Sequence, residues 1–308
     1  MKRFVKIYTY WLLGILLFTG CDDYLKEDSG DLLIPGKVEE FLPMLYREGF
    51  PRNFNDEVAW LYLMTDDVEM GQLELDPEDE SYETQDKNSL DALSAGEGEE
   101  PYKWEREIKN YADNFWERRY GNILACNLVI DALPEMKYVE TDSGVYNFLA
   151  AQAYALRAYN YWCLVNSYAL PWSKENLDKP GVIIRTEPQI DVSARGRSSI
   201  RDVYDLINGD IEKAEKYINV ATFDGNIHRL SEPAILLLAS RIALFQENWD
   251  EVIRTGKLFL AQNSVILNLN DQDTTLFGTE KGLSNKIFTM MDGTVNKEVV
   301  FTFGTASY

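Results

Sequence analysis

A cysteine near the start of the chain lies where its thiol could be covalently modified. Two small residues directly precede Cys21, and a short basic stretch and an apolar run come before them. This pattern is typical of a secretion signal: a basic start, an apolar run too short to span a bilayer, and small residues before the cleavage site. We therefore predict a signal peptide over residues 1–20, a lipid on the thiol of Cys21 and a polar leader over residues 21–35. The alternative is a plain signal peptide or a short anchor helix that happens to hold a cysteine.

The histidine and cysteine counts exclude several kinds of catalytic site. The chain has one histidine, His228, on an expected loop, so histidine triads and multi-histidine zinc sites are absent from the sequence. Cys126 and Cys163 lie in two apolar helical stretches, at levels that differ by roughly 15 Å in a helical hairpin. A disulfide does not bridge that distance, so we predict two buried free thiols. No phosphate-binding or dinucleotide-binding glycine motif is present either, and no catalytic residue is assigned.

The charge of the chain bears on its partners. The formal net charge is −21 at pH 7. Such a charge repels nucleic acid and anionic lipid headgroups, so neither is expected as a partner. Attachment to a membrane is expected through the lipid anchor alone, since lipid chains hold a protein without any spanning helix.

The elements that carry these residues are mostly helices. Apolar residues recur at helical spacing over residues 36–49, 113–133 and 144–168, and again after Ser231 and Asn248. The clearest helix begins at a capping box formed by Ser199 and Asp202. Its apolar stripe comprises Ile200, Val203, Tyr204, Ile207, Ile211, Ala214 and Ile218.

The pairing of these helices predicts the fold class. The fold is expected to be mostly α: a tetratricopeptide-like stack of αα-hairpins over about residues 113–262, with long irregular loops and a little β. The β elements expected are a short strand over residues 182–184 and a tail from residue 265 that is either β-like or a loop. Residues 36–308 are predicted to form one helical domain, and the assignment rests on helix pairing because no clean repeat motif occurs.

Several segments together match the pattern of a known family. They are residues 24–27 after the lipoprotein cysteine, residues 115–127, residues 155–162 leading to Pro171, residues 197–218, residues 229–244 and residues 296–301. The most specific is Leu156-Arg157-Ala158-Tyr159, and a departure is Ala169, where the family usually has glycine. In these features the chain resembles the SusD/RagB family of nutrient-binding lipoproteins. Because that family normally continues beyond the last motif, the chain resembles its N-terminal portion or a shortened member.

The resemblance implies a location, a ligand and a partner. It implies a protein that is lipid-anchored in the outer membrane and faces the cell exterior, and Asp22-Asp23 resembles the acidic export signal of such lipoproteins. It also implies binding of an oligosaccharide or polysaccharide without catalysis, and delivery to a SusC-like TonB-dependent barrel. The helical stack would contact the barrel, and the loop-rich face would hold the glycan.

Aromatic residues on loops are the candidates for contacting such a glycan. Sugars stack their C–H faces on aromatic rings while a few polar groups bind the hydroxyls. The candidates lie in or beside irregular polar segments; they are Trp104, Tyr102, Tyr82 and Trp172. Trp104 is the strongest candidate, because it adjoins a glycine-rich loop before the first long helix; the alternative is that it packs the start of that helix. Trp116, Trp162 and Trp249 lie on helical stripes and are assigned to the core.

An acidic run is the one segment that suggests a metal. Residues 66–107 carry 16 Asp and Glu against 3 Lys and Arg. They could supply oxygen ligands for calcium, which some members of the family hold, but no EF-hand loop is present. We therefore assign no metal ligands and no cofactor, and a structural calcium cannot be located; a solvated surface loop is the other interpretation.

Two other functions remain open from the sequence. One is a glycoside hydrolase, since that reaction uses paired carboxylates, although no motif singles out a pair among 51 acidic residues. The other is a helical scaffold lipoprotein that binds a protein or peptide.

Overall fold

The part of the chain that the structure describes is mostly helical. The computed structural model describes residues 38–51, 64, 99–106, 114–136, 143–189, 193–266 and 297–302. The chain divides into two compact units, Met1–Gly36 and Lys37–Tyr308, and all described residues belong to the second. Its helices are α1 Val38–Glu48, α2 Glu99–Tyr102, α3 Phe115–Ala132, α4 Ser143–Tyr168, α5 Ile200–Ile218, α6 Glu232–Phe245 and α7 Trp249–Gln262. The mostly α prediction is confirmed, and the tetratricopeptide-like character of the stack stays a prediction.

Helix α4 is the centre of the helical layer. It packs against α3 on one side and α5 on another, and α1 also contacts it. Because neighbours cover several of its faces, its buried residues run round the helix and do not form one stripe. Alanines such as Ala150, Ala151 and Ala155 are wholly buried, and small side chains let adjacent helices approach closely.

Helix α5 forms as its sequence predicts. The Ser199 hydroxyl accepts from the Asp202 amide at 3.1 Å, and the Asp202 carboxylate accepts from the Ser199 amide at 3.3 Å. This capping box satisfies two backbone donors at the start of the helix and is worth about 1 kcal/mol. All seven residues of the predicted apolar stripe are buried, so the stripe is confirmed as the face of α5 that packs on the core.

The core has two parts along α4. One part joins α1 and the first half of α4, and Phe301 packs against it with its ring centroid 6.2 Å from that of Phe50. Near this contact the Thr302 amide donates to the Ile227 carbonyl at 3.0 Å. The other part joins the second half of α4 to the start of α5. The last described segment is thus tied to the first helix.

The predicted strand over residues 182–184 is wrong. The described part of this link has a single isolated bridge, between Pro180 and Ser199. Backbone pairing ends at Val182, whose carbonyl accepts from the Ser198 amide at 2.9 Å. From Ile183 onwards helix side chains bind the backbone instead, since the Tyr120 hydroxyl donates to the Ile183 carbonyl at 2.7 Å. A segment whose backbone groups bind side chains has no need of a neighbouring strand. The tail, expected to be β-like or a loop, is likewise not a strand within residues 297–302.

The assignment of Trp249 to the core is also wrong. The Trp249 side chain is 58% exposed, and Ile253 and Leu260 of the same stripe are 53% and 60% exposed. Helix α7 packs mainly on α6, and Thr255 is its one buried residue. The periodicity predicted the helix correctly, but no described element covers its outer face. Trp116 and Trp162 do pack against the core, although each is only half-buried.

The cysteines follow their prediction with one difference. Cys126 and Cys163 are both free, as predicted. Cys126 is fully buried, whereas Cys163 is only half-buried. Burial raises the pKa of the Cys126 thiol well above its ordinary value, so this thiol stays protonated and unreactive.

Candidate functional site

Trp104 is the most exposed of the candidate aromatic residues that the structure describes. It follows the single turn of α2, which is closed by a hydrogen bond from the Glu105 amide to the Glu100 carbonyl at 3.0 Å. Its side chain is 68% exposed. Its backbone φ is 54°, in the left-handed region that bulky residues rarely adopt. The turn therefore presents an indole ring to solvent at a backbone cost of about 1–3 kcal/mol.

Tyr102 belongs to the same turn. It ends α2 two residues before Trp104, and its side chain is half-buried. The turn thus holds one open ring and one partly covered ring within three positions. This arrangement suits a flat apolar ligand face, because an aromatic ring gives a large contact area while losing little rotamer freedom.

Trp172 has a different setting. Its ring is half-buried and lies edge-on to Tyr204 of α5, with ring centroids 4.7 Å apart. It packs with the second part of the core. This contact gives Trp172 a structural role, and its contact with a ligand stays a prediction.

The structure does not describe the remaining predicted site residues. Tyr82 and the lipidation residue Cys21 lie outside the described residues. Most of the acidic run over residues 66–107 lies outside them as well. Within the ranges that are described, no three His, Cys, Asp or Glu side chains are grouped to hold a metal ion. The described residues therefore indicate no location for a structural calcium.

A buried polar network positions the link after α4. Arg157 of α4 binds both carboxylate oxygens of Asp210 of α5, at 2.7 and 2.8 Å. It also donates to the Asn127 side chain of α3 at 2.9 Å. Asn127 in turn donates to the Arg185 and Glu187 carbonyls, at 3.0 and 3.2 Å. Three helices and the extended link are thus joined through one arginine.

Tyrosines complete the attachment of the link. The Tyr161 hydroxyl donates to the Arg185 carbonyl and accepts from the Arg185 amide, both at 2.7 Å. Burial raises the pKa of the Tyr120 hydroxyl, which binds the Ile183 carbonyl, to about 12. Both phenols therefore remain protonated donors at neutral pH.

The sequence reasoning assigned no role to the members of this network. The available signal was Arg157 itself, since a charged residue inside an apolar helix needs a buried partner. The partner could not be named, because Asp210 lies 53 positions away and its contact depends on how α4 and α5 pack.

A family comparison identifies the fold. The profile of a SusD-like family, described as starch-binding and associating with the outer membrane, matches residues 50–244. The match covers more than half of the chain and includes α3, α4 and α5 completely. The chain belongs to this SusD-like family.

Individual relatives are similar over part of their length. A SusD-like protein from Formosa agariphila is 28% identical over 158 residues, which are 50% of this chain and 27% of that protein. The chain therefore spans about a quarter of that curated relative.

Solved structures support the same fold. A SusD-like carbohydrate-binding protein from Bacteroides vulgatus has a TM-score of 0.55 at 19% identity, over 77% of this chain and 47% of that one. Surface glycan-binding protein A from Bacteroides thetaiotaomicron, in complex with laminarihexaose, has a TM-score of 0.50 at 16% identity, over 80% and 46%. At these identities the likeness concerns the fold alone. None of the helices described here is long and apolar enough to cross a membrane.

Proposed function

We propose that this chain binds a neutral glycan at the cell surface, without cleaving it, and passes it to a TonB-dependent barrel in the outer membrane. The observation that carries the proposal is Trp104, an indole that is 68% exposed at a strained backbone position. Membership of a family described as starch-binding and associating with the outer membrane supports the class of ligand and the location.

The charge and chemistry of the chain favour a neutral sugar. A tryptophan ring offers an apolar stacking surface and one N–H donor, and neither selects for charge. The net charge of −21 disfavours anionic polysaccharides through long-range repulsion. The related fold from Bacteroides thetaiotaomicron holds laminarihexaose, a neutral glucan, so laminarin and its oligosaccharides are the first ligands to test.

Three of the described carboxyl groups, those of Asp210, Glu215 and Glu251, are poorly suited to hydrolysis. A glycosidase needs two accessible carboxyl groups that flank the sugar, one of them protonated. Burial raises the pKa of the Asp210 carboxyl, but Asp210 is fully buried and both of its oxygens bind Arg157. Glu215 and Glu251 both bind Arg254, and the hydrogen bond from Arg254 lowers the pKa of Glu251. A carboxylate held in this way is a poor proton donor.

The proposed attachment and partner follow the same family. A lipid on Cys21 would hold the chain at the outer membrane, facing the exterior, and the helical stack would face the barrel. Gentle detergent extraction should recover the chain with a large β-barrel protein, with crosslinks on residues 113–262. Recovery of the free chain alone, from cells that express the barrel, would contradict this part.

Calorimetry with two substitutions of one residue tests the glycan site. Trp104→Ala and Trp104→Gly both remove the ring, and each should weaken binding of a neutral oligosaccharide by about 1–3 kcal/mol. Trp249→Ala is the matched control, because Trp249 is similarly exposed but lies on α7. It should leave the affinity unchanged.

The outcomes are distinct. Unchanged affinity in both Trp104 variants would remove Trp104 from the site. Release of shorter sugars from a polysaccharide, seen by chromatography, would favour the hydrolase over the binding protein. A partner protein captured while every glycan fails to bind would favour the helical scaffold.

A further inference from the structure

The outer face of α7 carries an uncovered apolar stripe. Trp249, Ile253 and Leu260 are each more than half exposed. With 3.6 residues per turn, these positions fall within about 40° of one another around the helix axis. A stripe of this kind on a helix surface normally packs against another element.

The other sides of α7 are already in use. Thr255 is fully buried, and Val252 and Phe259 are half-buried on the side that faces α6. Arg254 extends to α5, where it binds Glu215 at 2.8 Å. The stripe therefore lies on a side of α7 that is separate from its packing against the described helices.

Two charged residues border the stripe on the same edge. Asp250 and Lys257 are both exposed and seven positions apart, so they point in directions that differ by roughly 20°. When two helices pack antiparallel about a twofold axis, the same edge of each helix faces its counterpart. Asp250 of one helix then lies near Lys257 of the other, and the pair occurs twice.

The local charge does not oppose such pairing. Helix α7 carries Asp250 and Glu251 as its acidic residues, and Arg254 and Lys257 as its basic ones. It is therefore neutral in a chain whose net charge is −21. Among the surfaces of an acidic protein, a neutral apolar face with complementary edge charges is suited to meet its own copy.

We propose that the α7 stripe binds the α7 stripe of a second copy of this chain, antiparallel about a twofold axis. Ile253 lies near the centre of the contact, with Trp249 and Leu260 towards its ends. Two symmetric Asp250–Lys257 pairs fix the direction and register of the helices. This self-association goes beyond the proposed binding of glycan and does not depend on it, and it leaves helices α3 to α6 of the stack to face the barrel.

Sedimentation velocity on the full chain in mild detergent tests the apolar part. The parent should show a dimer whose fraction rises with protein concentration, and Ile253→Glu should be monomeric. Leu170→Glu is the matched control, since Leu170 is 53% exposed, as Ile253 is, but follows α4. It should dimerise as the parent does, and thermal melting should show that both variants are folded.

Charge exchange tests the register. Asp250→Lys and Lys257→Asp should each raise the dimer dissociation constant severalfold, and the double variant should restore the parent value. A parent that is monomeric at every concentration overturns the proposal, as does a dimer that survives Ile253→Glu. A monomeric parent whose melting temperature falls in Ile253→Glu would mean that the chain itself covers the stripe. Single charge variants without effect, or a double variant without recovery, would overturn the antiparallel register.

Discussion

Arg157 and Asp210 form a doubly hydrogen-bonded ion pair between α4 and α5, with both side chains almost fully buried. The third contact of the guanidinium, to Asn127, adds α3 to the same group. Burial raises the pKa of the Asp210 carboxyl, and the hydrogen bonds from Arg157 oppose that rise. The pair and Asn127 therefore join the buried faces of the three helices. A buried ion pair of this kind need not add net stability.

A mutant cycle should separate the cost of an unpaired buried charge from the net contribution of the ion pair to stability. Arg157→Met leaves a buried carboxylate without its partner and should cost about 3–5 kcal/mol of unfolding free energy. The double variant Arg157→Met/Asp210→Leu should recover most of that loss, because it removes both charges while keeping similar volume. Urea unfolding provides the measurement. Arg201→Met, at an exposed pair with Asp178, is the control and should cost less than about 1 kcal/mol. Losses that simply add in the double variant would contradict the interpretation.

Two glycines should respond in opposite directions to alanine. A Cβ on Gly144 would overlap the Thr222 side chain, lying 2.9 Å from its Cβ, whereas one on Gly209 would meet nothing within 4 Å. Gly144→Ala should therefore lower the melting temperature. Gly209→Ala, inside α5, should stabilise by up to about 1 kcal/mol through helix propensity. Equal effects in both variants would show that the close approach at Gly144 is unimportant.

The sequence predicted best what depends on neighbouring residues. The start of α5 follows from Ser199 and Asp202, which interact within one turn, and its stripe follows from periodicity. What covers a stripe depends on residues far away in the chain, so the same reasoning predicted α7 correctly and misplaced Trp249. The prediction of a strand in the link after α4 was wrong for a similar reason, because distant tyrosines and Asn127 bind the backbone of the link. For the site, Trp104 was predicted to be a loop aromatic that contacts a glycan. The structure leaves its ring 68% exposed, and the contact with a glycan stays a prediction.

The strain at Trp104 predicts a difference between its two substitutions. Glycine adopts a φ of 54° readily, whereas alanine does not. Trp104→Gly should therefore have a free energy of unfolding about 1 kcal/mol higher than that of Trp104→Ala. Urea unfolding provides the measurement. The two variants should nevertheless lose glycan affinity equally, because both lack the ring. A larger loss of affinity in one of them would mean that the backbone of the turn also contributes.

Buried phenols should make the fold sensitive to alkali. Burial raises the pKa of both Tyr46 and Tyr120 from 10.0 to about 12. The folded state favours the protonated phenol, so this stabilisation is present below pH 10 and is lost as the pH rises towards 12. Tyrosinate absorbance should therefore show groups that titrate late in the folded protein. Tyr120→Phe should lose one of them and should cost about 1 kcal/mol at neutral pH, through the lost bond to Ile183. An unchanged titration would mean that Tyr120 is accessible.

The predicted lipid anchor depends on one atom, the thiol sulfur of Cys21. Cys21→Ala removes the thiol to which a lipid would be attached, so the variant should move from the membrane pellet to the soluble fraction. Mass spectrometry of the parent should find the added lipid mass on the peptide that begins at Cys21. A variant that stays in the membrane, with no lipid on any residue, would refute the anchor.

The contact between Phe50 and Phe301 has a consequence for the order of assembly. A chain that crosses a membrane emerges from its N-terminus, so α1 and the Phe50 that follows it arrive first, yet Phe301, which packs on Phe50, lies about 250 residues later. Helices α3 to α5 pack against near neighbours in sequence and can form while the rest is still being threaded. The side of the Phe50 ring that Phe301 contacts stays open until Phe301 has passed through. Export of the kind proposed above would therefore include an interval in which a chaperone has a surface to hold, and that interval would end when the segment with Phe301 arrives.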